Sequence, residues 1–235
     1  SIDKITKDML YECYNTFYHP SNMLLFIVGA VDPEQTMELI RNNQSSKSYK
    51  EASGIKRKND VEPKEVEKEK QVIHMNVSTP KVLVGLKAGN IQLTGAELLK
   101  NELTINLLLD ILFGRSSEMY ETLYSSGLID STFSYDYTQE QDFGFAMIGG
   151  DSSKPDELAE KIINYLLEKK NQDGINEEIL TRTKKKKIGG FLRSLNSPEY
   201  IANSFTRYAF YNTSLFEIVP ILVSITLQDI QAAAK

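Results

Sequence analysis

The sequence predicts an α+β fold in which helices cover one face of an antiparallel sheet. Two observations lead to this class. Strand-like segments come in pairs and are followed by runs with helical periodicity. In addition, the heptad at residues 4–10, which opens a helix, returns near the end at residues 224–230 with the same polar and apolar order. The chain is therefore expected to contain the end of one structural repeat and most of a second.

Residues 1–44 are interpreted as the tail of the first repeat. Thr6 is a good N-cap for a helix that should end before the His-Pro dipeptide at residues 19–20, because the residue before a proline disfavours helical geometry. Residues 23–28 are continuously apolar, as expected of a strand buried on both faces. Asp32 then caps a second helix, with a proline at its first position.

Residues 45–70 are predicted to be a charged linker. Lys and Glu dominate this stretch, large apolar residues almost vanish, and Gly54 and Pro63 interrupt it. Such a segment cannot bury enough apolar area to offset the entropy lost on ordering. The linker separates the first-repeat tail from a second domain at residues 71–235.

The second domain is predicted to open with two strands, residues 72–77 and 81–86, and a helix at residues 97–113 that is apolar on most of its surface. Apolar and polar residues alternate over residues 133–137 and 143–147, which predicts a hairpin. The domain is expected to lack its last strand, because the chain ends where the strand of the first copy would follow. Further helices are predicted at residues 116–124, at about 155–170, at 176–195, and from 197 onward.

Composition and charge argue against several classes of partner. The chain is 41% hydrophobic and 25% charged, and its net charge of -5 gives no overall attraction to nucleic acid. Lys184–Lys187 is the densest basic run, but four consecutive helical residues point around the cylinder, so a solvated face is favoured over a nucleic-acid site. No apolar run approaches the ~20 residues that span a bilayer. Since no signal peptide is recognisable either, we expect a cytoplasmic protein without a membrane partner.

The residues themselves provide no catalytic constellation. His19 and His74 are the two histidines, and neither has a second histidine or a cysteine at metal-ligand spacing, so structural roles are favoured for both. Cys13, the single cysteine, is expected to be a small core residue of its helix. Residues 149–153 look superficially like a phosphate loop but lack the Walker lysine, so a capped strand-to-helix turn explains them better. We therefore assign no catalytic, substrate-binding or metal-binding residue.

Two segments resemble the insulinase/pitrilysin-type zinc metallopeptidases, a family that includes the mitochondrial processing peptidases. Residues 17–34 combine a Tyr-His-Pro-Ser-Asn turn, an apolar strand, a glycine and an Asp-Pro-Glu helix start, as at the end of that family's first domain. Residues 112–128 combine a helix, a glycine turn, paired serines and a short helix ending at Gly-Leu, as in its second domain. Residues 197–199 and 225–230 also fit the pattern. The resemblance covers nearly the whole chain and is closest to the bacterial processing-protease branch.

The resemblance implies a repeated α+β domain, with two copies joined by a linker into a clam-shell around an enclosed chamber. Active members carry an inverted zinc motif, His-x-x-Glu-His, in the first copy, where the motif glutamate activates water. This chain contains no such motif, which would lie upstream of Ser1. No cofactor is therefore expected in this chain, and zinc is expected in the parent protein if the upstream motif is present.

The family's second domain also contributes an arginine and a tyrosine near the scissile peptide, where they would stabilise the polarised carbonyl. Aligning the motif places Tyr124 at the arginine position and Asp130 at the tyrosine position, so the sequence departs at both. Arg115 lies nearby, but a surface role is favoured for it. The resemblance therefore transfers no catalytic residue to this chain.

The leading hypothesis is the C-terminal, non-catalytic portion of a zinc-dependent processing peptidase, inactive alone, which closes the substrate chamber and binds extended peptides. Its partners would be unfolded peptides and the upstream catalytic half or a paired peptidase-like subunit. The alternative is a non-enzymatic partner subunit of a peptidase complex, and a third interpretation is a standalone α+β binding domain. Strand 23–28 is expected to seek a sheet edge, within the chain or by a strand swap in a homodimer.

Overall fold

The computed structural model describes residues 2–49, 55, 63–89, 92–169 and 174–235. The chain divides into two compact units, which are described separately below. Unit 1 comprises residues 1–60 and 197–206, and unit 2 comprises residues 61–196 and 207–235.

The sheet belongs to unit 2 and has three antiparallel strands. Strand β1 is Lys81–Lys87, β2 is Ser134–Gln139 and β3 is Gly144–Asp151. The spatial order is β1-β3-β2, so β3 lies in the middle. Within the described residues, the helices are α1 Lys7–Phe17, α2 Pro33–Ser45, α3 Gly95–Phe113, α4 Glu118–Ser125, α5 Pro155–Lys169, α6 Glu177–Ser194, α7 Pro198–Phe210, α8 Ile218–Ser224 and α9 Leu227–Ala233.

One face of the sheet is buried and the other is open. Val84 pairs with Ile148, which pairs with Tyr135, so these three side chains lie on the same face. Helix α3 packs against β2, and α5 packs against β1 and β3, which buries this face. Leu83 and Met147 alternate onto the opposite face and are exposed. The predicted α+β class, with helices on one face of an antiparallel sheet, is confirmed.

Helix α3 forms the centre of unit 2. As the apolar run predicts, most of its circumference is buried, with Leu98, Leu99, Leu107 and Phe113 entirely inaccessible to solvent. Helices α6, α8 and α9 also pack against it. At about 25 cal/mol per Å² of buried apolar surface, each fully buried Leu or Phe contributes roughly 1.5–3 kcal/mol to folding.

Short polar residues fix where many of the helices begin. The side chains of Thr6, Asp32, Ser117, Asn176 and Thr226 each accept a hydrogen bond from the backbone N–H three residues later. This satisfies donors that the first helical turn leaves without a partner. The N-caps predicted at Thr6 and Asp32 and the helix predicted to begin near Asn176 agree with the structure.

The two glycines that suggest a phosphate loop are packing residues of β3. A Cβ atom at Gly149 would collide with the carbonyl of Val82, and one at Gly150 would collide with the backbone of Phe133. The Ser152 hydroxyl then accepts a hydrogen bond from Lys154 N at 3.2 Å just before α5 begins. The predicted strand-to-helix turn with a Ser cap accounts for this segment.

Unit 1 contains α1, α2 and the first part of α7. Phe26 stacks on Phe205 with ring centroids 4.1 Å apart, yet none of residues 2–49 is fully buried. The predicted strand at residues 23–28 is wrong, because the segment joins no ladder within the part of the chain that the structure describes. Cys13 is exposed, so its prediction as a core residue is also wrong. Both predictions assumed that an apolar sequence pattern is buried. In the part of the chain that the structure describes, neither Cys13 nor the segment 23–28 is fully buried.

The predicted strand at residues 72–77 does not form either. Val77 N donates to Met75 O at 3.1 Å, a two-residue bond that turns the backbone away from an extended course. Val72, Ile73 and Met75 are exposed. Consequently β1 is an edge strand among the described residues. The strand predicted at residues 81–86 is confirmed.

Residues 50–54 and 56–62 of the predicted linker lie outside the described residues. Its described part from residue 63 to 70 contains neither helix nor strand. Lys70 forms an exposed ion pair with Asp156 at 2.8 Å, a contact within unit 2.

Among the described residues, no single helix combines the length and the apolarity needed to cross a bilayer. The segments Leu215–Ser224 and Leu227–Ala233 meet the composition test only together, and they are bent by 99° relative to each other. Their apolar residues Ile218, Leu222 and Ile230 are buried in unit 2.

Candidate functional site

The positions that the family resemblance singled out do not assemble into a site. Tyr124 lies on the exposed side of α4 and stacks on Tyr120 with centroids 6.0 Å apart. Asp130 accepts hydrogen bonds from Thr132 N at 2.8 Å and Thr132 Oγ1 at 2.6 Å, so it closes the turn before β2. Arg115 is exposed after the end of α3. These three residues therefore have surface and turn-forming environments.

The histidines have ordinary surroundings. His19 Nδ1 accepts a hydrogen bond from Ser21 N at 3.2 Å and caps a short 3-10 helix, Pro20–Asn22. His74 lies in the exposed segment before β1. Within the described ranges, no group of three or more His, Cys, Asp or Glu side chains could hold a metal ion. The donor set of these residues therefore does not fit a zinc centre.

The basic run of α6 points around the helix, as its spacing predicts. Lys184 Nζ donates to Val223 O at 2.9 Å, and Lys186 Nζ donates to Asp110 Oδ1 at 2.8 Å. Lys187 lines a separate cleft. The lysines thus serve several structural contacts on different sides of α6.

The strongest concentration of polar chemistry is a cleft of about 470 Å³ in unit 2, bounded by α3, α6, α7 and β2. Three carboxylates and two cations line it, together with two tyrosines. These charged residues and tyrosines are Glu102, Asp136, Glu140, Lys187, Arg207, Tyr137 and Tyr208.

Glu102 is one of the residues that line this cleft. It is 6% exposed, and its Oε1 forms an ion pair with Arg207 Nη2 at 3.1 Å. Burial raises the pKa of Glu102; the positive charge of Arg207 opposes the rise, and the negative charges of Asp136 and Glu140 add to it. Its second oxygen, Oε2, has no hydrogen-bond partner. Among the described residues, every other buried side-chain nitrogen or oxygen has one. An unpaired buried carboxylate oxygen is costly, so this atom requires an explanation.

The wall of the cleft beside β2 is held by neutral hydrogen bonds. Gln139 is fully buried and accepts from Tyr137 Oη at 2.6 Å and from Asn101 Nδ2 at 2.8 Å. At the rim, the Tyr211 hydroxyl donates a short hydrogen bond to Glu140 Oε2. Burial, followed by this hydrogen bond, raises the pKa of Tyr211 to about 12. The polar network fixes the positions of β2 and of the residues after α7.

A second buried acid lies on the same helix. Asp110 Oδ1 accepts from Tyr135 Oη at 2.5 Å as well as from Lys186. Burial alone would raise the pKa of Asp110, but hydrogen bonds from Lys186 and Tyr135 outweigh it and hold the pKa below its usual value. Burial and the bond to Asp110 raise the pKa of Tyr135. Since each polar partner is satisfied, this group acts as a structural tie between α3, β2 and α6.

Neither buried acid was predicted as a site residue, although the sequence contains a signal for both. Glu102 and Asp110 occur inside a helix that was predicted to be apolar on most of its surface. A carboxylate in such a helix requires a cation or a hydrogen-bond donor. The identity of those partners, Arg207 and Lys186, depends on tertiary packing and could not be read from spacing.

The fold and the donor set define a two-layer α+β domain that has a polar cleft but no metal centre among its described residues. Comparison with known proteins identifies its family. The model of the "Peptidase M16 inactive domain" matches residues 4–187. The chain thus belongs to the M16 peptidase family and corresponds to its inactive domain, which confirms the resemblance seen in the sequence.

Individual relatives agree with this assignment. A Bacillus subtilis (strain 168) protein named "Uncharacterized zinc protease YmfH" is 56% identical over 231 residues, which are 98% of this chain and 54% of that protein. The crystal structure of an M16-like peptidase from Alicyclobacillus acidocaldarius has a TM-score of 0.92 and 34% identity, covering 99% of this chain and 55% of that one. A protease from Helicobacter pylori shares the fold, with a TM-score of 0.80 and 22% identity over 99% and 56% of the two chains. The chain spans about half the length of these relatives.

Proposed function

We propose that this chain is the non-catalytic half of a zinc-dependent processing peptidase, which closes the substrate chamber and contacts extended peptides there. The observation that carries the proposal is the match of the inactive-domain model to residues 4–187. The lack of a metal-binding group in the described residues supports it, because catalysis would then require ligands from elsewhere. Zinc and the general base are assigned to the remainder of a longer protein.

The open face of the sheet supports a role in contact with peptide or with the catalytic half. Leu83 is 67% exposed there, and Met147 and Phe143 are also exposed. Phe143 stacks on Phe145 with ring centroids 6.4 Å apart, which extends the apolar surface toward the hairpin turn. Several large apolar side chains exposed on one face of a sheet favour an interaction surface.

The proposal is tested by comparing this chain with the full-length protein that contains it. The substrate is an unstructured peptide that carries a fluorophore and a quencher. The full-length protein should cleave it, and a chelator should abolish this cleavage. This chain alone should not cleave it. In the full-length protein, Leu83→Asp should lower turnover without changing the zinc content. Leu192→Asp, on an exposed position of α6, is the matched control and should retain activity. Chelator-sensitive turnover by this chain alone would contradict the proposal.

The alternative is a non-enzymatic partner subunit of a peptidase complex. Tyr124 and Asp130 favour it, because they stand where the family resemblance expects an arginine and a tyrosine. The full-length protein would then bind no stoichiometric zinc and would raise the activity of a separate M16 peptidase on mixing. Metal analysis and a mixing assay separate the two functions.

A cytoplasmic location remains part of the proposal. Fractionation of cells that produce the tagged full-length protein is the direct check.

A further inference from the structure

Helix α3 contains two buried acids, Glu102 and Asp110, whose surroundings differ. Asp110 is well supplied with donors, because one of its oxygens accepts from Tyr135 at 2.5 Å and from Lys186 at 2.8 Å. Glu102 is buried to a similar degree, 6% exposed against 8%, but its Oε1 has a single ion-pair contact with Arg207 at 3.1 Å. Its other oxygen, Oε2, is buried and has no partner. The fold therefore supports a negative charge on Asp110 better than on Glu102.

This difference makes the ionised form of Glu102 costly. A buried carboxylate loses its hydration, and one ion-pair contact offsets that loss only in part. Burial accordingly raises the pKa of Glu102 above its ordinary value of 4.5, and the charge of Arg207 opposes the rise without cancelling it. Burial acts on Asp110 too, but the bonds from Lys186 and Tyr135 outweigh it and hold its pKa below 3.8. As the pH falls, Glu102 should therefore take up a proton before Asp110 does.

The other titratable groups around Glu102 come from the remaining walls of the cleft. They are Lys187 on α6, Tyr208 on α7, Asp136 and Tyr137 on β2, and Glu140 in the turn after β2. The negative charges of Asp136 and Glu140 further disfavour a charge on Glu102. Asp136 pairs with Met147 and projects from the open face of the sheet, so it acts through its charge and not by contact. None of these groups gives Oε2 a hydrogen bond.

Arg207 can leave Glu102 without disturbing the helix that carries it. Its side chain is 41% exposed, so the guanidinium already reaches solvent. The guanidinium carbon also lies 5.6 Å from the ring centroid of Tyr208, which is a cation–π distance. The backbone just after α7 is held independently, since Gly95 N donates to Tyr211 O at 2.8 Å. Opening the pair would therefore move one side chain and leave the fold unchanged.

We propose that the Glu102–Arg207 pair is a pH-sensitive latch between α3 and the end of α7, closed while Glu102 is ionised and open when Glu102 takes up a proton from water. In the open state the neutral carboxylic acid stays buried, and Arg207 turns toward Tyr208 and solvent. The inference does not depend on the proposed peptidase function, because it concerns an equilibrium of two side chains within unit 2.

The test is an NMR titration of the complete 235-residue chain between pH 8 and pH 4. Labels of ¹³C on the side-chain carboxyl groups follow protonation, and ¹⁵N labels on the arginine side chains follow the hydrogen bond of Arg207. The Glu102 carboxyl should titrate with a midpoint above 4.5, and the Arg207 signal should change with the same midpoint. Asp110 is the internal control and should stay ionised over this range.

Removing the arginine charge tests whether the two side chains are coupled. Arg207→Gln should move the Glu102 midpoint to still higher pH, because the opposing positive charge is lost. Arg207→Lys keeps the charge and should move the midpoint less. Arg193→Gln makes the same change of charge at an exposed position of α6 and should leave the midpoint where it is. All three variants alter an exposed or partly exposed side chain, so they should fold even if Glu102→Gln does not.

Stability provides a second measurement. When the folded-state pKa of an acid is raised, its contribution to stability is fully present below 4.5 and is lost as the pH rises through the folded-state value. Between pH 5 and pH 7, the urea midpoint of the unaltered chain should therefore fall relative to that of Glu102→Gln, which cannot ionise. A Glu102 midpoint at or below 4.5 overturns the inference. It is equally overturned if the Arg207 signal stays constant while Glu102 takes up its proton, or if Arg207→Gln leaves the Glu102 midpoint unchanged.

Discussion

The same sequence pattern opens a helix in each of the two units, with opposite results for burial. In unit 1, Thr6 caps α1 by accepting from Met9 N at 3.3 Å. In unit 2, Thr226 caps α9 by accepting from Asp229 N at 3.2 Å, and Asp229 bonds back to Thr226 N at 2.7 Å. A threonine N-cap therefore starts a helix at both places, and only α9 adds the reciprocal bond.

The apolar positions of the two helices have different surroundings. Ile5 is 51% exposed, whereas its counterpart Ile225 is 1% exposed. Leu10 is 60% exposed, whereas its counterpart Ile230 is fully buried in unit 2, where α9 packs against α3. Capping depends on neighbours within a few residues, but burial depends on a partner distant in sequence. Similar sequence patterns thus specify similar helix starts without specifying equal burial.

The largest difference between the helices should appear on truncating the apolar residue. Ile230→Ala should lower the free energy of unfolding by about 2–5 kcal/mol, because it leaves a cavity beside α3. Leu10→Ala should change it by less than about 0.5 kcal/mol, because the side chain is largely exposed. Urea unfolding followed by far-UV circular dichroism measures both. Equal losses would show that Leu10 is buried in solution and would remove the contrast.

Removing the cap should give the next largest difference. Thr226→Ala should destabilise unit 2 by about 1 kcal/mol, because it breaks the reciprocal bonds with Asp229. Thr6→Ala removes a similar bond, but α1 is not held in a core, so the loss should appear as local fraying rather than as reduced global stability. Urea midpoints and amide exchange of the first helical turn distinguish the two results. Thr226→Ser is the control that keeps the hydroxyl and should retain the stability.

Most of the fold of unit 2 could be predicted because its signals are local. The run of apolar residues in α3 and the alternation in β2 and β3 each identify an element from its own side chains. Residues 23–28 and 72–77 have comparable patterns but form no strand, because a strand also requires a neighbour with free backbone groups. Which neighbouring strand a segment pairs with cannot be predicted from its own residues.

The candidate site was less predictable than the fold. Its central pair joins Glu102 of α3 to Arg207 of α7, residues that only tertiary packing brings to 3.1 Å. The resemblance directed attention to Tyr124 and Asp130 instead, and these proved to be a surface aromatic and a turn residue. Acidic residues at the buried positions of α3 were the one signal that could have located the cleft.

The stability of the two helices should also differ in its dependence on acid, because only α9 has an acidic residue at the reciprocal capping position. This effect is smaller. The hydrogen bond from Lys100, followed by that from Thr226 N, lowers the pKa of Asp229 to about 2. A depressed folded-state pKa gives stability that is present above the ordinary value of 3.8 and is lost as the pH falls toward 2. Because the pair is partly exposed, we expect about 1 kcal/mol. Asp229→Asn should remove this part of the acid dependence, which is measured as the difference in urea midpoint between pH 5 and pH 2. If Asp229→Asn leaves the acid dependence unchanged, other carboxyl groups cause the loss of stability at low pH.

The smallest expected effect comes from giving α1 the reciprocal cap of α9. Met9 occupies the position of Asp229 and is half exposed, so Met9→Asp places an acceptor within reach of Thr6 N without opening a cavity. A carboxylate also suits the positive end of a helix. The amide of Thr6 should then gain about twofold protection from hydrogen exchange, equivalent to roughly 0.5 kcal/mol. Met9→Ala removes the same side chain without adding an acceptor and should give no gain. If both variants protect Thr6 equally, helix propensity rather than capping separates the two helices at this position.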